Sequence, residues 1–413
     1  MIELHGTCKT EFLPLKNELS NSLNVPENEK EKYTAECGVA LCIIMNNEIV
    51  VNLYGGFQDQ KCTKKWNDNT LAGVYSCTKG WTSIVASHLR SKTILEMDAP
   101  VCKYWKGFEQ NGKEQITVKQ LLCHESGCST IRVPIYKCNR ENEWDTICNS
   151  LASGKPFWPP GSASRYHAFT FGHLVGNVCQ LADGKGRNVG EIFKEEITDK
   201  FGISDDIMIS HPPQERCAEM FWHNDNDFYQ FKGDENTYIE TVNELVMKAD
   251  NGDQQALAKL TAINPQRPVA ALNSKEFQTV LYPASGGWCS AKGMASLYSK
   301  ISNGEIVEKN IISKNDLKDA TITKHCEMKG QGNRSLGFTI NTQGRDKTFG
   351  HGGRGGHVGF GDYDHKLGIG FVRNRLSNGI KDGTRPTGYR LAKIMYECLD
   401  NMDINHDEIV SFL

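Results

Sequence analysis

Ser76 and Lys79 stand three residues apart in the run YSCTKGW, residues 75–81, where an apolar stretch gives way to an amphipathic one. On a helix, positions i and i+3 share a face about 5–6 Å apart, so the amine reaches the hydroxyl. A serine so placed is a candidate nucleophile for acyl transfer, with the lysine as the base that takes its proton. To act near neutral pH the lysine pKa must fall from about 10.4 to near 7, a differential cost of roughly 4–5 kcal/mol. Burial and a second cation produce such shifts. The positive end of the helix adds only about 0.3–1 kcal/mol in favour of anionic oxygen. Alone, S-x-x-K is a weak signal, met equally by a serine that opens a helix beside a solvated lysine.

The elements that must hold this pair can be read from hydrophobic period. CGVALCIIMNNEIVVNLYGGFQD is two β-branched runs around Asn46-Asn47, which predicts a hairpin. After Ser76, Trp81, Ile84, Val85, His88 and Leu89 recur at three and four, one face of a helix. Residues 80–275 read as helical pieces and loops punctuated by WPPGS and HPPQ. Within them FWHNDNDFYQFKGDENTYIE is acidic, aromatic and without period, an expected insertion or lid. SLGFTI, KTFGHGG, HVGFGDY and KLGIGFVRN then read as consecutive antiparallel strands, and Leu391, Ile394, Met395 and Cys398 as the face of a last helix. Sheet-forming sequence at both ends predicts one interrupted α/β domain, 1–75 plus 276–413. A mainly helical domain, 76–275, is inserted in it, with an insertion of its own near 205–270.

Composition narrows the function. The 413 residues are 38% hydrophobic and 9% aromatic, enough for a substantial core. Net charge is −3, from 47 basic and 50 acidic residues, which gives no electrostatic reason to expect nucleic acid or an anionic membrane as partner. No stretch approaches the roughly 20 apolar residues of a membrane span. MIELHGTCKTEFLPLKNELS lacks the pattern of a secretory signal, and with fifteen cysteines this predicts reduced thiols in a cytoplasmic protein. Cys123, Cys128, Cys138 and Cys148 with His124 match none of the usual zinc spacings, so neither a metal nor another cofactor is expected.

Taken in order, NTLAGVYSCTKGWTSIVASHL, ITVKQLLCHESGC, PPGSASRYHAFTFGHLVG, YPASGGWCSAKGMASLYSKISNG and SLGFTI…KTFGHGGRGGHVGF resemble the serine β-lactamase-related family. That family includes class C β-lactamases, D-alanyl-D-alanine peptidases, family VIII carboxylesterases and eukaryotic β-lactamase-like proteins. The resemblance runs from about residue 35 to 400 and is weakest over 205–270. It implies the β-lactamase/transpeptidase-like fold, an antiparallel sheet flanked by helices. It also implies an acyl-accepting Ser76, Lys79 sharing its proton, and Tyr166 as proton shuttle. The amide N–H groups of Ser76 and Arg354 would form the oxyanion hole, typically worth about 2.7–4 kcal/mol per donor.

Two departures bear on substrate. Ala168 stands where lactamases and peptidases carry an asparagine, and His351-Gly352-Gly353 replaces Lys-Thr-Gly. A histidine is charged only in part near pH 7 and a glycine offers no hydroxyl. The expected substrate is therefore a small ester or amide recognised without a carboxylate anchor. Arg354 either restores a positive charge or is a solvated loop residue. The Gly-rich run around it would let substrate lie against backbone. His124 is expected to support the site structurally and Trp158 and Trp288 to pack, while His167 has no assigned role.

Rival readings fare worse. No serine has glycine at both flanking offsets of a nucleophile elbow, and no phosphate-cradling loop occurs in the right setting. A catalytically silent scaffold or binding protein is the alternative, since a fold does not guarantee an activity. The joint presence of Ser76, Lys79, Tyr166 and H-x-G favours the hydrolase. The sequence specifies no oligomeric state.

Overall fold

The computed structural model describes residues 1–26, 35–136, 143–223, 231, 233–265, 273–330, 332–377 and 386–402. Its frame is a nine-stranded antiparallel sheet drawn from the two ends of the chain. Across the sheet the strands run Leu4–Cys8, Glu48–Gly56, Gly38–Met45, Leu367–Arg373, His357–Asp362, Thr348–Gly353, Thr339–Ile340, Gly332–Arg334 and Cys326–Met328. The first hairpin turns at Asn46 and Asn47, with φ of 50° and 63°. Asparagine tolerates this left-handed region, which the tight turn requires. Leu367–Arg373 then joins the two ends of the chain by pairing with Gly38–Met45.

Alternation along the strands sorts the two faces. Val39, Leu41, Ile43, Phe360, Ile369 and Phe371 point to one side, where Leu15 and Leu19 of the helix Leu13–Leu23 and Leu391 and Met395 of the helix Thr387–Asp400 cover them. Each such buried aliphatic or aromatic side chain contributes about 1.5–3 kcal/mol. The other face is lined with glycine. A Cβ at Gly368 or Gly370 would lie 2.2 Å from a backbone carbonyl of the helix Ala291–Ser302. The G-x-G rhythm of these strands is therefore a seat for a closely packed helix.

Beyond that helix lies the predominantly helical part of the chain. The helix Cys77–Ser91 is buried from Cys77 to Leu89. Its hydroxyls are tolerated there because each finds an acceptor: Ser83 Oγ donates to Lys79 O, Ser87 Oγ to Ser83 O and Thr82 Oγ1 to Pro283 O. The helices Glu235–Asp250 and Gln254–Ile263 close a small core of their own through Tyr238, Val242, Leu260 and Ile263. The first of them starts inside the acidic, aromatic run read as aperiodic, of which 224–230 and 232 lie outside the described residues. No described helix is long and apolar enough to cross a membrane. Cys123, Cys128 and Cys148 are buried free thiols; Cys138 lies outside the described residues.

Candidate active site

Ser76 caps the amino end of the helix Cys77–Ser91. Tyr75 before it sits at φ 47°, a conformation that costs a residue with a Cβ about 1–3 kcal/mol and persists only where surroundings hold it. The segment 282–287 does so. Tyr75 bridges Gly286, Val74 N–H donates to Gly287 O at 2.9 Å, and Gly287 N–H donates to Thr78 Oγ1 at 2.9 Å. The strained turn sets Ser76 at the wall of a cavity of about 1240 Å³.

Lys79 follows one turn later, completely buried. Its Nζ lies 3.2 Å from Ser76 Oγ and donates to Ala168 O at 2.7 Å and Ala284 O at 2.9 Å. At the position where an asparagine is missing, a backbone carbonyl thus receives the lysine. Tyr166 completes the group: its ring lies 4.8 Å from Lys79 Nζ, and its hydroxyl is close enough to Ser76 to feel it. Burial pushes the phenol up to about 12, against the opposing influence of nearby Ser76 and Arg334, so it stands as a neutral phenol.

Two histidines fix Tyr166. His167 donates from Nδ1 to Arg165 O at 2.6 Å and accepts at Nε2 from Ser126 Oγ at 2.8 Å. Burial lowers it to about 4, which keeps it neutral in this role. His124 packs its ring 5.0 Å from that of Tyr166 and accepts the His167 N–H at 3.1 Å. It supports the site as read from sequence, while His167 acquires a role that sequence did not assign. Trp158 and Trp288 are buried packing residues.

His351 approaches from the strand Thr348–Gly353, its ring 6.0 Å from that of Tyr166. Nδ1 donates to Gly352 O at 2.7 Å, leaving Nε2 to face Arg334 Nη1 at 3.4 Å. Burial and the nearby Arg334 charge hold its pKa far below the usual imidazole range. The expected partial charge on His351 is therefore not found; the cation at this point is Arg334, buried and facing the same cavity. Arg334 went unnoticed in the sequence, although Gly330 and Gly332 marked the hairpin that pairs Cys326 with Arg334.

Past His351 the strand meets the turn before Ser76. A Cβ at Gly353 would fall 2.2 Å from Val74 O and 3.2 Å from Cys77 Sγ, so only glycine allows this approach. Arg354 follows, exposed at the cavity rim with its guanidinium 5.3 Å from the Trp222 ring. At Gly352 a Cβ would come 2.7 Å from the hydroxyl of Tyr389, a second lining residue that sequence gave no reason to select. Ser76, Lys79, Tyr166, His351, Gly352, Gly353 and Arg354 thus gather where the end of the strand Thr348–Gly353 meets the buried helix. Ala258, Thr261 and Ala262 of the helix Gln254–Ile263 line the same cavity.

A nine-stranded antiparallel sheet between helices, with a serine, a buried lysine and a tyrosine beside the end of one of its strands, defines the class: the β-lactamase/transpeptidase-like proteins. The chain belongs to the beta-lactamase family, whose model matches residues 28–392. It is 26% identical over 351 residues to the esterase/beta-lactamase LipL of Mycobacterium tuberculosis, an alignment covering 82% of this chain and 77% of that protein. A family VIII carboxylesterase crystal structure superposes with a TM-score of 0.77 at 28% identity, covering 96% of this chain and 100% of that one. A penicillin-binding protein homologue from Caulobacter crescentus shares the fold, with a TM-score of 0.75 at 24% identity over 96% of this chain and 100% of its own.

Proposed function

We propose that this chain hydrolyses a small ester or amide through an acyl-enzyme formed on Ser76. One contact carries the reading: the Lys79 amine at 3.2 Å from Ser76 Oγ. A neutral amine has two N–H groups and one lone pair. Ala168 O and Ala284 O accept N–H groups of the amine and hold Nζ beside the Ser76 hydroxyl, whose proton the lone pair takes in this scheme. After transfer, the ammonium makes the same three contacts as a triple donor. The base can therefore change state without moving, which is the preorganisation acid–base catalysis needs.

The steps follow. Ser76 Oγ bonds to the substrate carbonyl carbon as its proton passes to Lys79, and the carbonyl electron pair moves onto oxygen. The Ser76 and Arg354 N–H groups receive that oxyanion. Collapse breaks the bond to the leaving group, which takes a proton from the Tyr166 hydroxyl; Lys79 replaces it. A phenol held neutral suits this relay better than a standing phenolate would. Water then repeats the sequence on the acyl-enzyme, releasing the acid and restoring Ser76. The residue roles draw on the family, and the relatives named as esterases support ester substrates.

A fluorophosphonate probe tests the proposal. It should label the wild-type protein at Ser76 and leave Ser76→Ala unlabelled. A folded wild-type protein that takes up no probe would instead be a silent member of the family.

A further inference from the structure

The turn that carries Arg354 is set by its neighbours in the hairpin. Gly353 and His357 are the last residues to pair across the strands Thr348–Gly353 and His357–Asp362, which leaves Arg354, Gly355 and Gly356 as the loop. Gly355 and Gly356 take φ of 90° and 103°, a region that glycine enters readily, and Gly356 N–H donates to Gly353 O at 3.1 Å. Paired residues point to the same face of a sheet, and a Cβ at Gly353 would stand 3.0 Å from His357 Cβ. Because Gly353 has no side chain, nothing on it separates the His357 ring from Tyr75. The two ring centroids lie 6.4 Å apart, with planes 29° from parallel.

Tyr75 is the residue held at φ 47° immediately before Ser76. It also meets the Trp222 ring, at 6.3 Å and 60°, and Trp222 in turn carries the Arg354 guanidinium at 5.3 Å. The contacts therefore form a circuit: His357 to Tyr75, Tyr75 to Trp222, Trp222 to Arg354, and Arg354 back along the loop to His357. One point of that circuit adjoins the Ser76 N–H and another carries the Arg354 N–H, the two groups assigned to the oxyanion. His357 and Trp222 are both buried, and neither is among the described residues that line the cavity. Aromatic pairs at such separations hold one another in place beyond the area they bury. His357 does so uncharged, since burial, with Arg373 nearby, brings its imidazole down to about 3. Its ring nitrogens have no hydrogen-bond partner among the described residues, so it meets Tyr75 by ring packing.

We propose that His357 and Trp222 are positioning residues that clamp Tyr75 between their rings and thereby set the Ser76 and Arg354 amides at the separation a developing oxyanion requires. The inference rests on the acyl-enzyme reading and adds to it the residues that fix its oxyanion site. Such a clamp stabilises the tetrahedral state more than the bound ester, because the amides bond most strongly to the carbonyl oxygen once charge develops on it. Loosening the clamp therefore costs turnover and spares substrate binding.

Variants test it on p-nitrophenyl butyrate, with active sites counted by fluorophosphonate titration of Ser76. His357→Leu keeps bulk and removes the flat ring; kcat should fall about tenfold with KM held within about twofold, a fraction of the roughly 10²-fold cost of a full 1 Å misplacement. His357→Phe restores a ring without the nitrogens and should recover most of kcat. Trp222→Leu removes the other jaw and should show the same loss, which keeps the test open if His357→Leu does not fold. A trifluoromethyl ketone gives the readout that lowered stability alone would not move, since its adduct on Ser76 places an oxyanion between the two amides. Its Ki should rise by the factor by which kcat/KM falls. Leucine variants at wild-type kcat, a loss confined to KM, a His357→Phe protein as slow as His357→Leu, or a Ki that ignores kcat/KM would each overturn the clamp. A wild-type protein that takes no fluorophosphonate at Ser76 would refute the acyl-enzyme and the clamp together. Full labelling with unimpaired leucine variants would refute the clamp alone.

Discussion

Replacing Gly353 by alanine adds a single methyl group at the point where strand and nucleophile turn meet. That methyl would stand 2.2 Å from Val74 O, 3.0 Å from His357 Cβ and 3.2 Å from Cys77 Sγ. Contact with a backbone carbonyl cannot be relieved by a rotamer change, so the strand end must withdraw by roughly 1 Å, a misplacement that costs about 10²-fold in rate when it falls on catalytic geometry. In the proposed reaction the atoms displaced are those that bring the Arg354 N–H toward the carbonyl oxygen. Loss of one such donor alone is worth about 10²–10³ in kcat. Steady-state ester hydrolysis should therefore show kcat reduced about 10²-fold in Gly353→Ala, with overpacking lowering stability by only about 1–3 kcal/mol. Gly352→Ala is the internal control, because its methyl presses only on the movable end of Tyr389, at 2.7 Å, and stands 3.7 Å from the nearest backbone atom, His357 O. A Gly353→Ala protein that turns over a neutral ester at the wild-type rate would refute the reasoning that this glycine exists to bring the oxyanion donor to Ser76.

Other perturbations give separate checks. Lys79→Ala and Tyr166→Phe should each lower turnover at least about 10²-fold, as removal of general acid–base groups does, and wild-type rates in both would remove the proposed relay. His167 is held at about 4 in the folded protein against 6.5 for an unhindered imidazole. Its contribution to stability is complete above pH 6.5 and is lost as pH falls toward 4, up to about 3 kcal/mol. Urea titrations at pH 7 and 4.5 should show that loss, and His167→Asn should make it smaller. Because His351 stays neutral far below pH 7, His351→Gln should leave the shape of the kcat/KM pH profile between 5 and 8 unchanged; loss of an inflection there would show that His351 titrates during catalysis.

What could be read in advance was what depends on near neighbours. Asn46-Asn47 fixes a turn by its own backbone preference, and Trp81, Ile84, Val85 and Leu89 announce a buried helix face by period alone. Ser76, Lys79, Tyr166 and His351 were legible because each lies in a short run that resembles a family element. Residues whose place depends on pairing were hidden. Arg334 belongs to a three-residue strand, too short to show a period, and reaches His351 only through the sheet. Tyr389 sits on a helix whose apolar face was evident, but what its exposed side overhangs is decided by packing on the sheet. The strand Leu4–Cys8 was missed because its residues are exposed or half-exposed at the sheet edge and do not alternate. The glycines of His357–Asp362 and Leu367–Arg373 lie in runs that read as strands, and their use as a helix seat became visible only in the packed structure.

The proposition beneath the rest is that the Ser76 oxygen forms a covalent ester with the acyl half of the substrate. Rapid acid quench during turnover of a p-nitrophenyl ester, followed by mass spectrometry of the digested protein, measures this directly. The account predicts an added acyl mass on the peptide containing Ser76, present in wild type and absent in Ser76→Ala. Active turnover with the acyl group on another residue would contradict it.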